Sequence, residues 1–192
     1  MPTMPTLTER RPPWVVFTSA ADPWPASETA TLLRRNGLVL RLDAREMTDP
    51  ASLFRTFARE LSFPGYFGHN WDALVDCLHD WHGPGHGNQD LAILLEHADD
   101  LLESDFLGLF VSVLAQAAWH SNLRLDADGE LDEWRPRTAQ HFVFLLDHTA
   151  PAAFTETVAR GVDVAVALSD GRLLVALTDT EWPPDGDPAS AP

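Results

Sequence analysis

The residue pattern predicts an α/β fold: a small, mostly parallel sheet flanked by helices. Three nearly continuous apolar runs carry that expectation: Leu38 to Asp43, Leu91 to Leu95 and Phe142 to Leu146. Runs of this kind suit strands covered on both faces. Segments with helical spacing lie between them, so strands and helices alternate and crossovers join the strands. A length of 192 residues fits one domain with additions at its ends, or two very small ones.

Each element has its own signal. Met1 to Pro13 is Pro-rich, aperiodic and without an apolar leader segment, so a disordered tail and no secretory signal are expected. Trp14 to Thr18 reads as a short strand, and Ala26 to Arg35 as a helix stopped near Asn36-Gly37. After the strand at Leu38 to Asp43, Asp49-Pro50 supplies an N-cap and a first-position proline. The helix it opens carries Leu53, Phe54, Phe57 and Leu61 on one stripe and is broken by Pro64-Gly65. A second helix spans Trp71 to Trp81 and stops at the glycine-rich stretch from Gly83 to Gly87.

Downstream of the Leu91 strand, Ser104-Asp105 can start a long helix to about Trp119, apolar at 106, 109, 110, 113, 114 and 117. Pro151 to Arg160 looks helical, and Val162 to Leu168 and Arg172 to Leu177 flank Ser169-Asp170-Gly171 as a hairpin. The expected organisation is a tail at 1–13, an extension at 14–36, a central domain at 37–148, a second extension at 149–178 and a tail at 179–192. Whether Trp14 to Phe17 joins the central sheet or pairs separately with the C-terminal strands stays open.

Charge excludes whole classes of function. Twenty-nine acids against 13 arginines, with no lysine, give a formal charge of -16. That rules out nucleic-acid binding through a basic surface and disfavours anionic membranes; a basic partner is expected. From Glu60 to Leu123 there are ten acids and no Lys or Arg, so this third of the chain carries -10. Such a field steers cationic partners toward the surface. One cysteine, Cys77, permits no internal disulfide, which suits a cytoplasmic protein.

The most informative stretch is Phe63 to Trp81. On a helical wheel Trp71, Leu74, Leu78 and Trp81 form a core stripe with Val75 and Cys77 at its margins. Asp72, Asp76, His79 and Asp80 share the opposite face. The two like-charge i,i+4 pairs on that face each cost an isolated helix roughly 0.2–0.5 kcal/mol. Asn70 as N-cap and Asp72 against the helix dipole account for part of the ridge, and a merely solvated face is the plain alternative. Asp76 and Asp80 lie too far along the helix for that account.

Pro64, Tyr66-Phe67-Gly68, Asn70, Asp72-Ala73-Leu74, Asp76-Cys77-Leu78 and Trp81 together resemble the barstar family, intracellular inhibitors of barnase-like microbial ribonucleases. The resemblance extends over about Gly37 to His148 and implies a barstar-like three-layer fold. To this the chain adds an N-terminal β-α extension and a C-terminal helix/hairpin extension. It implies a non-enzymatic inhibitor, monomeric when free, that needs no cofactor and blocks a basic extracellular-type ribonuclease or toxin. The partner-binding residues implied are Tyr66, Gly68, His69, Asn70, Trp71, Asp72, Val75, Asp76 and Asp80, with Asp76 standing in for a substrate phosphate. Val75 occupies a position where the family often has an aromatic residue.

Two other readings compete. One is an acidic interaction module of this fold without a nuclease target. The other is a small metal-dependent enzyme using His79, His82 and His86 beside Cys77, although their spacing matches no standard zinc motif. Asp126 to Glu130 has a superficial likeness to a calcium loop, but its glycine comes too early and Arg137 stands at the twelfth position. No phosphate-binding loop or nucleophile elbow is present, so no catalytic residue is assigned.

Overall fold

The computed structural model describes residues 6–81, 89–123 and 137–178. The strands are β1 (Val15–Ser19), β2 (Leu38–Asp43), β3 (Leu91–Glu96), β4 (Gln140–Leu146), β5 (Val164–Ser169) and β6 (Arg172–Leu177). The helices are α1 (Pro23–Arg34), α2 (Pro50–Leu61), α3 (Trp71–His79), α4 (Leu107–Leu123) and the single turn α5 (Thr155–Val158). A 3-10 turn over Pro151–Phe154 leads into α5, so the expected helix there is a composite.

All six strands form one sheet in the order β2-β3-β4-β1-β6-β5. β2, β3, β4 and β1 are mutually parallel, while β6 pairs antiparallel with both β1 and β5. The question left open for Trp14 to Phe17 is thereby answered: β1 is the joint between the two halves. It aligns Val15 with Phe142 on one side and with Val175 on the other. One side-chain row therefore crosses the whole sheet as Leu40, Ile93, Phe142, Val15, Val175 and Val166.

Alternation along the strands separates two unequal layers. Ile93, Leu95, Phe142, Phe144, Val15 and Phe17 face the main core with α2, α3 and α4. Ala92, Leu94, Val143 and Leu145 face the other way, where Leu32 of α1 and Leu7 cover them. Leu7 corrects the expectation that residues 1–13 are a tail, at least for 6–13. It is fully buried, its amide donates to Glu28, and the ring of buried His141 meets the carbonyls of Glu9 and Pro13. An isolated apolar residue among prolines carries no periodicity, so the sequence does not reveal that it packs.

Helix ends follow side-chain chemistry. α2 has the expected Asp49 cap, closed reciprocally by Ser52, and ends on Ser62 in the left-handed conformation, before Pro64-Gly65 is reached. α1 begins earlier than expected, because Asp22-Pro23 repeats the Asp-Pro signal and the Asp22 carboxylate accepts from the Trp24 amide. The same carboxylate takes two bonds from Arg172, at 2.5 and 2.8 Å, so α1 is tied to β6. Arg172 holds the Asp22 carboxyl down at about 2, outweighing partial burial.

α4 departs from the stripe expected of it. Leu107, Val111, Ala115 and Ala118 are as buried as Phe110, Leu114 and Ala117, so the helix is enclosed on nearly every side. The expected core residue Leu109 is instead exposed, one face up from exposed Gln116. The C-terminal extension presses against α4 backbone to backbone: a Cβ on Gly161 would lie 2.5 Å from the Gly108 carbonyl oxygen. Gly161→Ala is therefore expected to destabilise the protein by about 1–3 kcal/mol. A urea-unfolding midpoint equal to wild type would contradict that packing role.

Candidate functional site: the acidic face of α3

The loop before α3 is built around an inward anchor. The Phe67 amide donates to the Pro64 carbonyl, and the Phe67 ring is buried against Phe63 and Phe54, at centroid distances of 5.1 and 6.2 Å. With Phe67 drawn in, its neighbour Tyr66 is pushed out and stands 82% exposed. Gly68 and His69 are also exposed, and His69 adopts a left-handed backbone with its ring 4.8 Å from that of Phe67.

Asn70 then turns the chain into α3. Its Oδ1 accepts from the Ala73 amide at 2.8 Å and its amide group reaches back to the Gly68 carbonyl at 3.4 Å. Asn70 is thus committed to shaping the loop, though it remains exposed. At the far end of the helix, the Trp81 indole N–H donates to the Leu61 carbonyl at 2.7 Å, joining the end of α3 to the end of α2. The helix is thus capped at its start and joined to α2 at its end.

Asp72, Asp76 and Asp80 are exposed along one face of this helix. Asp80 approaches His79 at 3.4 Å. Asp72 and Asp76 have no ion pair to a cation among the described residues. Most other acids of the cation-free third are employed locally. Glu60 pairs with Arg59, Glu96 with Arg41, and Asp90 caps the Ala139 amide near Arg10. Asp99 is buried and accepts from three backbone amides, at Asp147, His148 and Thr149. The long-range field inferred from sequence is therefore concentrated by the fold, and α3 is one place where it stays uncompensated.

Two expected contact residues are largely enclosed in the free protein. Val75 is buried to 6% exposure, and Trp71 is half-buried, edge-on to Phe54 at 4.8 Å and near Phe106 and Phe110. Trp71 lies on the core stripe itself, and Val75, at its margin, is closed over where α4 packs against α3. What they show to solvent opens into a cleft between α3, α4 and the C-terminal extension. Sequence reasoning could not find that cleft, since its third wall comes from residues 162–177.

Among the described residues of this site, the surroundings do not activate a nucleophile. Burial, and then the Asp80 and Asp76 charges, push the Cys77 thiol up from its ordinary value, away from thiolate. Burial, and then nearby His79, lower the pKa of His120, whose ring is 5.9 Å from that of His79. Among the described residues no group of three or more His, Cys, Asp or Glu side chains could hold a metal ion. His82, His86 and the Asp126 to Glu130 loop lie outside the described residues. Among the described residues, no helix is long and apolar enough to cross a membrane.

An exposed acidic helix beside a projecting tyrosine thus stands on a mostly parallel sheet. A family model described as barstar (barnase inhibitor) matches residues 38–145, more than half of the 192 residues. The chain belongs to the barstar family, a family of non-catalytic inhibitors. A search of curated proteins returns no match. The matched region contains β2, β3, α2, α3, α4 and all but the last residue of β4, while β1, α1 and the β5–β6 hairpin lie outside it.

Proposed function

We propose that this protein is an immunity-type inhibitor that acts in the cytoplasm and blocks the active site of a basic ribonuclease or related toxin. The observation that carries this reading is the exposed Asp72–Asp76 pair, with no ion pair to a cation among the described residues, on a helix capped by Asn70 and tied at its far end to α2 through Trp81. A ribonuclease must present Arg, Lys or His to the phosphate charge that develops during cleavage. A fixed carboxylate accepts charge-assisted hydrogen bonds from those groups and has no bond that the enzyme can cleave. Asp76, in the middle of the helix, stands in for the phosphate. Asp72 supports it one turn earlier, and Tyr66 supplies aromatic contact area.

Capture from lysate and culture medium of the producing cells, with wild type and Asp76→Arg as parallel baits, tests the reading. Recovery of a small basic ribonuclease by wild type alone is expected. If both baits recover the same partner, or the partner cleaves no RNA, the chain is an acidic interaction module and the inhibitor reading fails. Tyr66→Ala is expected to weaken the complex less than removal of the Asp76 carboxylate; an equal or larger loss would move the centre of the interface into the loop.

A further inference from the structure

The fold leaves one cleft beside the acidic face, of about 400 Å³, with α3 on one side, α4 at its base and the C-terminal extension opposite. Leu109 and Gln116 lie seven residues apart on the one side of α4 that is not enclosed, and both line the cleft. Val75 adds apolar surface from α3, and Val162, 63% exposed, adds it from the extension. Among the described residues, the charged members of the lining are Asp72 on the α3 side and Asp163 on the extension side, with no Lys or Arg. The extension wall is held in place by the Gly108–Gly161 approach and by Ser112, whose hydroxyl donates to the Val162 carbonyl at 2.5 Å.

An apolar base between two carboxylates matches one kind of side chain: a hydrocarbon stem ending in a cation. We infer that the cleft receives an arginine or lysine side chain of the captured ribonuclease, making the C-terminal extension the second half of the partner-binding surface. The inference rests on the inhibitor reading. Continuity supports it, because Asp72 belongs both to the acidic face and to the cleft. Charge also selects the occupant: residues 179–192 of this chain bring four carboxylates and no cation, and would be repelled by Asp72 and Asp163. The basic side chain places its stem on Val75, Leu109 and Val162 and its head between the two aspartates. Val75 contributes by being small.

Two arms test this. In the first, the full chain is titrated with acetyl-arginine amide, and with acetyl-glutamate amide as control, while backbone amide chemical shifts are followed. Saturable shifts at Leu109, Gln116, Val162 and Asp163 with the arginine probe alone are expected, and their loss in Asp163→Asn. Shifts scattered over the surface, or surviving that substitution, overturn the inference. In the second arm barnase is the probe, and dissociation rates are compared for wild type, Val162→Ser, Asp163→Asn and Asp76→Ala. Val162→Ser and Asp163→Asn are each expected to speed dissociation by about three- to tenfold. If Asp76→Ala weakens the complex and the other two do not, the cleft inference fails and the inhibitor reading stands. If wild type does not bind barnase, or Asp76→Ala leaves the complex unchanged, the inhibitor reading fails for that enzyme, and the arginine arm alone decides the cleft.

Discussion

Asp76→Ala is expected to weaken the complex with a target ribonuclease by more than about 2 kcal/mol, near thirtyfold in Kd. The carboxylate is exposed in the free protein and paired with no cation among the described residues, so its removal costs the free protein nothing it depends on. In the complex, the loss leaves active-site cations of the nuclease buried against an unpaired surface, which is the expensive outcome. Stability should move the other way. Asp72 and Asp80 flank Asp76 one turn away on either side, and removing the central charge relieves two i,i+4 repulsions worth roughly 0.2–0.5 kcal/mol each. Opposite signs in binding and in urea unfolding mark a residue retained for function against the interest of the fold. A variant that binds as wild type does, or that unfolds more easily, would contradict this assignment.

The second large effect concerns stability alone. Asp99→Ala is expected to destabilise the protein by about 3 kcal/mol or more, since it orphans three backbone N–H groups in the turn after β4. Burial alone would raise the Asp99 carboxyl, but the bonds from Asp147, Thr149 and His148 together outweigh it and hold the group at about 2 against an ordinary 3.8. The native state thus binds fewer protons than the unfolded chain between these values. The stabilisation, about 2 kcal/mol, is complete above roughly pH 4 and is lost as pH falls through about 2. Asp22, held equally low by Arg172, adds a loss of the same sign in the same window. Thermal unfolding of wild type and Asp99→Ala at pH 7 and pH 2.5 measures this: the gap between the two should be wide at pH 7 and should narrow in acid. A gap that does not change with pH would mean that Asp99 contributes nothing through its charge.

Much of this was legible in the sequence because it rests on local signals. Leu38–Asp43 and Leu91–Glu96 announce themselves as buried strands by continuous apolarity, and Asp49-Pro50 announces a helix start by cap chemistry. The Asp72–Asp76 ridge follows from the helical period once the helix is granted. What stayed hidden depends on contacts between distant segments. β1 looks like any short strand, and nothing in Val15–Ser19 tells that it bridges β4 and β6. Leu109 fits the spacing of a core position, yet α4 is so apolar all round that no stripe distinguishes its one open side. Asp99 was counted with the steering charges, although its partners lie some fifty residues later in the turn it caps. The cleft beside α3 needed Val162 and Leu177 to be brought next to Val75, which only the six-stranded order achieves.

Occupation of a ribonuclease active site by the acidic face of α3 is tested by following cleavage of an RNA oligonucleotide by the captured ribonuclease while wild type or Asp76→Arg is added. Inhibition that is relieved by excess RNA, and that disappears with Asp76→Arg at the same concentration, is the predicted result. Binding that leaves RNA cleavage at full rate, or equal inhibition by Asp76→Arg, would contradict it.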